Sequence, residues 1–250
     1  MSINEDIAEL AAIERGSASP GERRSAEWVA ARLREQGARD VRLAEFRFQG
    51  TFAHAQALHF AAGALAALTG RRLAAAATLA SFEAEFSGRH QWLRRLLPAG
   101  SGTNVVGRLP ARGAPARTVV LVAHHDAART GLMWDPRLVG PGDRAAARTG
   151  KRASQALVPE LALAAAALGL RRLPAALLAL ATALVLDQAR SPVVPGANDN
   201  ASGVAGVLEL VGRLARDRPD GLEVVAVFPG CEESGMGGMA AWLDSQFLDP

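Results

Sequence analysis

The chain has 250 residues, 49% of them hydrophobic, which is enough for one α/β domain with a substantial core. Its 28 cations stand against 25 anions for a net charge of +3, and all of them but Lys151 are arginine, so the excess reads as coding bias and no nucleic-acid partner is indicated. A single cysteine, Cys231, excludes an internal disulfide, and the polar start Met1-Ser-Ile-Asn-Glu-Asp lacks the basic and apolar regions of a signal peptide, leaving a membrane-associated or cytoplasmic location.

In chain order, Ser2 with Glu5 and Ser19-Pro20 with Glu22 have the form of two capping boxes. They predict helices over 3–15 and 20–36, the second stopped by Gly37. Residues 40–48 alternate as a strand, and 104–109, 118–123 and 222–228 predict three more. The last two are continuous apolar runs, the pattern of central strands covered on both faces. With a helix over 201–216 between them, the economical fold is α/β, a mixed, mainly parallel sheet flanked by helices. Such sheets hold ligands beyond the carboxyl ends of their strands.

Two segments, 51–100 and 128–194, do not belong to that sheet. The first holds apolar stretches 52–69 and 73–82 around Arg71-Arg72, the second 157–170 and 173–186 around Arg171-Arg172. Each has the form of an inserted, Ala-rich helical hairpin with an arginine pair near its turn. The stretches are shorter than the roughly 20 residues of a bilayer helix. Three readings stay open: hairpins that span a membrane, hairpins that lie in its interface, and a soluble lid or dimerisation element. The basic flanks at 89–95 and 144–152 favour an anionic surface.

Chemistry gathers at three strand or helix ends. The run Thr118-Val-Val-Leu-Val-Ala-His-His-Asp brings out His124 and Asp126, Pro195-Gly-Ala-Asn-Asp-Asn-Ala-Ser-Gly centres on Asp199, and Phe228-Pro-Gly-Cys-Glu-Glu-Ser-Gly carries Glu232 and Glu233. Neutral imidazole and carboxylates with one position open to water are the donor types of a hydrolytic zinc site. Asp126, two residues on from His124 along a strand, points to the same side and is placed to hold the second ring nitrogen. Asp199 stands just ahead of a helix whose N–H groups support its charge. Of the two glutamates one is free to move a proton. His125 is expected to pack or face solvent, and Cys231 to be a small buried thiol rather than a nucleophile, since no base partner is evident. His54, His59 and His90 are not expected among the ligands.

Together these motifs resemble the co-catalytic two-zinc peptidases that include bacterial aminopeptidases, glutamate carboxypeptidases and glutaminyl cyclases. The resemblance covers the start of the chain to Phe48, Gly102 to Ala127, and Pro195 onward. It implies that His124 ligates one zinc, Asp199 bridges two, Glu233 ligates the other, Glu232 is the general base and Asp126 supports His124. It implies a metal-dependent exopeptidase acting on peptides, aminopeptidase in type. The alternatives are a carboxypeptidase or glutaminyl cyclase-type relative and a non-catalytic, membrane-associated module that kept the fold. The long spacing from His124 to Asp199 implies an insertion at 128–194. The family pattern also has an aspartate and a histidine after the glutamate pair. No histidine follows Glu233, so 1–250 reads as a single, partial peptidase domain, two zinc ions being expected of the complete site. The resemblance further implies a cis peptide between Asp199 and Asn200.

Overall fold

The computed structural model describes residues 2–248. In chain order the elements are α1 (Ile3–Ala11), α2 (Pro20–Glu35), β1 (Arg39–Phe48), α3 (Ala53–Thr69), α4 (Arg72–Phe86), β2 (Gly100–Leu109), β3 (Arg117–Val122), α5 (Pro136–Thr149), α6 (Leu157–Ala167), α7 (Arg172–Arg190), α8 (Ser202–Arg216), β4 (Leu222–Phe228) and α9 (Gly237–Leu248). They divide into two compact units. Unit 1 takes Met1–Thr51, Pro98–Ala128 and Val193–Pro250, and unit 2 takes Phe52–Leu97 and Arg129–Pro192.

In unit 1, α1 begins with a capping box: the Ser2 hydroxyl accepts from the Glu5 N–H at 3.3 Å, and the Glu5 carboxylate accepts from the Ser2 N–H at 2.7 Å. The helix ends at Ala11, short of the predicted 15, because Arg15 folds back and donates to the Leu10 carbonyl at 3.0 Å. Ser19 caps α2 by accepting from Gly21 and Glu22, with Pro20 in the first turn. Glu22 does not close the expected second box. Its carboxylate turns into the protein and accepts from Ala18, Thr103 and Cys231 instead. Gly37, at φ +90°, makes the turn after α2.

The sheet has four strands in the order β1-β2-β4-β3. β1 pairs antiparallel with β2 (Phe46 opposite Gly102), β2 antiparallel with β4 (Val106 opposite Val227), and β3 parallel with β4 (Val120 opposite Val225). The expectation of a mainly parallel sheet is therefore corrected: the sheet is mixed, and only β3 and β4, joined through α8, form the parallel strand–helix–strand unit. The inserted helices separate β1 from β2 in sequence and hide their antiparallel pairing from a reading of neighbouring elements. A second correction concerns β3, which is an edge strand rather than a central one, with Val119, Val120 and Val122 more than 40% exposed. A continuous apolar run records composition, not the number of neighbours. The core on one side of the sheet is built from Leu10, Val29, Leu33, Val204, Leu208 and Phe228, bringing α1, α2 and α8 onto β4. Trp242 of α9 packs with Val106, Val225 and Val227 in a second cluster.

In unit 2, α3 with α4 and α6 with α7 form two hairpins. Gly70 (φ +69°) and Gly169 (φ +103°) supply the left-handed backbone that their turns require. Phe60, Phe82, Leu163 and Leu178 fill the space between the helices, with the Phe60 and Phe82 ring centroids 5.1 Å apart. Buried His59 is satisfied by the Ala55 carbonyl at 2.8 Å and the Ser81 hydroxyl at 2.9 Å, as a packing histidine should be. Helix α5, capped by Asp135 with Pro136 in its first turn, was not foreseen from the sequence and has no buried residue.

Candidate metal centre

The site lies in unit 1, where β3, β4 and α8 bring their ends together. After Val122 the chain leaves the sheet edge still extended, so His124 and Asp126 alternate to one side while His125 goes to the other. His125 is fully buried, with Nδ1 2.7 Å from the Ser25 hydroxyl and Nε2 2.8 Å from the Thr103 carbonyl. Both ring nitrogens are engaged, and neither is free for a metal.

Asp126 is fully buried and organises the glutamate turn. Its Oδ1 accepts from the Glu232 N–H and its Oδ2 from the Glu233 N–H, each at 3.1 Å, while the Ser17 hydroxyl donates to Oδ2 at 2.7 Å. The same carboxylate stands 3.4 Å from His124 Nδ1, directing Nε2 outward. The chain then doubles back through Gly235 and Met236, both at positive φ, with the Met236 N–H donating to the Glu232 carbonyl at 2.8 Å. Gly238 permits this return, since a Cβ there would lie 2.3 Å from the Gly230 carbonyl oxygen.

Asp199 is presented by an irregular turn over Ala197–Ala201, outside helical backbone, immediately before α8. The Asp199–Asn200 peptide is cis. Arg15 anchors the preceding segment from beneath: its guanidinium, fully buried, donates to the Pro195 carbonyl at 2.6 Å and the Gly196 carbonyl at 2.7 Å.

The five candidate residues converge. His124 Nε2 lies 3.1 Å from Asp199 Oδ1 and 3.8 Å from Glu232 Oε2. One ligand atom each from His124, Asp199 and Glu233 falls within a 4.8 Å group. Glu233 Oε1 is buried and has no hydrogen-bond partner, which is costly unless a cation meets it.

The electrostatics give the same picture. Burial alone would lower the His124 pKa, but the Asp126 hydrogen bond and the charges of Asp126, Glu232 and Glu233 outweigh it and raise the imidazole to about 9. Burial raises Glu233 to about 7, with Asp126, Asp199 and Glu232 adding like charge. Glu232 is raised too, first by burial, while His124 opposes. Burial would also raise Asp126, yet His124 and Ser17 hold it below the ordinary carboxylate range. Protons are here balancing a surplus of negative charge that a divalent cation would balance instead. One imidazole nitrogen and two carboxylates, one of them with an orphaned oxygen, fit such an ion.

Three supporting residues were not legible as functional. Arg15, Ser17 and Glu22 come from the α1–α2 connection and its edge, and each grips a loop that carries a candidate ligand. Glu22 Oε2 accepts from the Cys231 N–H at 3.1 Å and Oε1 from the Thr103 N–H at 2.8 Å. Burial and the Asp126 charge hold Glu22 at about 7 against these donors. The Cys231 thiol, 3.3 Å from Glu22, is fully buried and pushed far up by that burial, so it is a poor nucleophile. The Ser19–Glu22 spacing looked like a helix signal and concealed the inward role of Glu22.

Residues 182–249, which include Asp199, Glu232 and Glu233, match the model of peptidase family M28. By this segment the chain is similar to peptidase family M28. Its fold is similar to that of the aminopeptidase from Aneurinibacillus sp. strain AM-1, at 13% identity and a TM-score of 0.51, the match covering 97% of this chain and 65% of that one. A zinc-dependent exopeptidase from Parabacteroides distasonis (14% identity, TM-score 0.47) and the glutaminyl cyclase of Tannerella forsythia (15%, 0.47) are each matched over 94% of this chain. The chain spans about half the length of these last two, 47% in each case. No curated protein sequence matches it. The segment matched by the family model supplies two of the three clustered ligand atoms, and the stretch just after β3 supplies His124 from outside it.

Proposed function

We propose that this chain carries the metal-binding site of a zinc exopeptidase, aminopeptidase in type, with His124, Asp199 and Glu233 as ligands. The observation that carries the reading is the convergence of those three donors around a buried Glu233 oxygen that has no protein partner. A bound zinc ion supplies two things at such a site, an acidified water and a polarised scissile carbonyl. The chain's own residues do the rest. Glu232, beside the cluster but outside the ligand triad, takes the proton from the attacking water and returns it to the leaving amine. Burial raises its pKa, which makes it a better proton acceptor than an exposed carboxylate. Asp126 fixes His124 and both glutamate N–H groups in one arrangement, so the base and the ligand move as a unit. A second zinc bridged by Asp199 requires donors beyond this triad.

Zinc content per chain after dialysis tests the assignment. Near-stoichiometric zinc in the native chain, lost in both Asp199→Ala and Glu233→Ala and kept in Glu232→Gln, is the expected result. Zinc absent from the native chain, or retained by the two ligand variants, defeats the ligand assignment. Hydrolysis of aminoacyl amides, set against cyclisation of N-terminal glutaminyl peptides, then separates the aminopeptidase reading from the cyclase one.

A further inference from the structure

The outward faces of unit 2 play no part in the metal centre, and their composition is unusual for a surface in water. In the helices and turns from Leu58 to Ala80 and from Leu161 to Ala183, the exposed residues are leucine, alanine, threonine and glycine, apart from the two arginine pairs. No acidic residue lies within 53–82 or 161–186. The nearest, Glu83, Glu160 and Asp187, stand at the helix ends away from the turns.

The two turns meet. The Arg171 guanidinium donates to the Leu68 carbonyl at the end of α3, and a Cβ on Gly169 would touch the Arg72 guanidinium at 2.4 Å. Arg71, Arg72, Arg171 and Arg172 therefore share one tip. Leucines crowd the same tip: Leu73 is 88% exposed, Leu168 77% and Leu173 65%.

A helix apolar on every side belongs inside a protein or inside lipid. α3, α4, α6 and α7 close around a core of their own, so their exposed leucines point outward in several directions. One protein partner covers one face, whereas hydrocarbon covers all of them. The internal contacts suit that solvent too. Gly63 and a cluster of Ala66, Ala67, Ala75, Ala166 and Ala175 let the helices approach closely.

Length and charge decide the depth. α7 is long and apolar enough to cross a membrane, and the rise from Arg172 to Asp187 is about 22 Å. Arginine side chains snorkel beyond the helix end, which brings the reach close to the roughly 27 Å hydrocarbon of a thin bilayer. Arginines stranded at mid-depth would be costly, and a shallow dip would leave the shaft leucines Leu58, Leu161 and Leu180 in water. We propose that the α3–α4 and α6–α7 hairpins of unit 2 span a lipid bilayer side by side, with their outward leucines and alanines in hydrocarbon and the four tip arginines among the phosphates of the far leaflet.

The test uses the full chain expressed in a bacterium, with vesicles floated through a density gradient so that aggregates are left behind. The chain is expected to float and to stay with the membrane through an alkaline carbonate wash. Single-cysteine additions at the two ends of α4, Leu73→Cys and Ser87→Cys, are expected to react with a membrane-impermeant maleimide from opposite faces of sealed vesicles, while buried Cys231 stays unlabelled. Leu65→Arg with Leu180→Arg, at exposed positions harmless in water, is expected to lower the floated fraction at least tenfold. A chain recovered without detergent as a soluble monomer, an oligomer that buries Leu73, labelling of both cysteines from one face, or an unchanged floated fraction for the double variant would each overturn the proposal.

Discussion

Unit 1 buries its charges and unit 2 exports them. In unit 1, Arg15, Glu22 and Asp126 are fully buried beside His125, and Arg32 reaches Asp6 through two hydrogen bonds of 2.9 and 3.1 Å out of solvent. In unit 2 the stretches 53–70, 73–82, 161–170 and 173–186 carry no charge. Among the described residues the buried ion pair there, Glu85 with Arg94 at 3.1 Å, sits in the last turn of α4, away from the arginine tip. The difference follows from what each unit has to hold. Unit 1 must keep three loops in register around a cluster of carboxylates, and backbone N–H groups gripped by buried charges do that more precisely than apolar contacts. Unit 2 holds only its own helices, by close packing of small and aromatic side chains.

Breaking the densest part of the unit 1 network should have the largest effect. Asp126→Ala removes the acceptor of two backbone N–H groups and a hydroxyl, and leaves Arg15 buried without the negative charge that most offsets its burial. The expected cost is about 3–5 kcal/mol of unfolding free energy, read from the shift in urea midpoint. A change below about 1 kcal/mol would mean the network is decoration on an apolar core.

A pH profile sharpens the same comparison. Glu22 is held at about 7 in the fold by burial and then by the charge of Asp126, against the ordinary 4.5. A raised carboxyl pKa makes the protonated form the stabilising one. Its contribution is fully present below about 4.5 and is lost as pH rises through 7. Metal-free native protein should therefore lose about 2–3 kcal/mol more than Glu22→Gln between those limits. The difference in slope is the observable, because the constant cost of the glutamine cancels along the profile. Parallel slopes would show that the three N–H donors, not burial, set the state of Glu22.

These two residues also show what could be read from the chain and what could not. His124 and Asp126 were legible because a strand alternates and both point one way; Asp199 and the glutamate pair were legible because each follows a strand or precedes a helix. The hairpins were legible from apolar runs interrupted by paired arginines. Asp126 was expected to serve the imidazole, but nothing local showed that it would also hold Glu232 and Glu233, a pairing made across more than a hundred residues. Glu22 was misread for a physical reason: a glutamate three residues after a serine satisfies a capping rule whether or not it turns inward. The antiparallel β1–β2 pairing was hidden by the helices inserted between the strands, and the edge position of β3 by its apolar composition.

The smallest effect separates the two units by a single methyl group. Gly206 sits within α8 with open space where a Cβ would go, so Gly206→Ala should stabilise by about 0.5–1 kcal/mol through helix propensity alone. Gly63 sits within α3, where the added Cβ would lie 2.3 Å from a terminal carbon of Leu163, itself fully buried, and 3.2 Å from Leu178. The same propensity gain is then opposed by an overpacking cost of about 1–3 kcal/mol, and Gly63→Ala should come out neutral to destabilising. Amide hydrogen exchange along α3 and α8 reads each helix separately. Slower exchange in α8 of the first variant with faster exchange in α3 of the second is the expected pair. Protection rising in both would mean that the unit 2 helices have room to move apart, and that the tight packing assigned to them is not what holds the hairpins together.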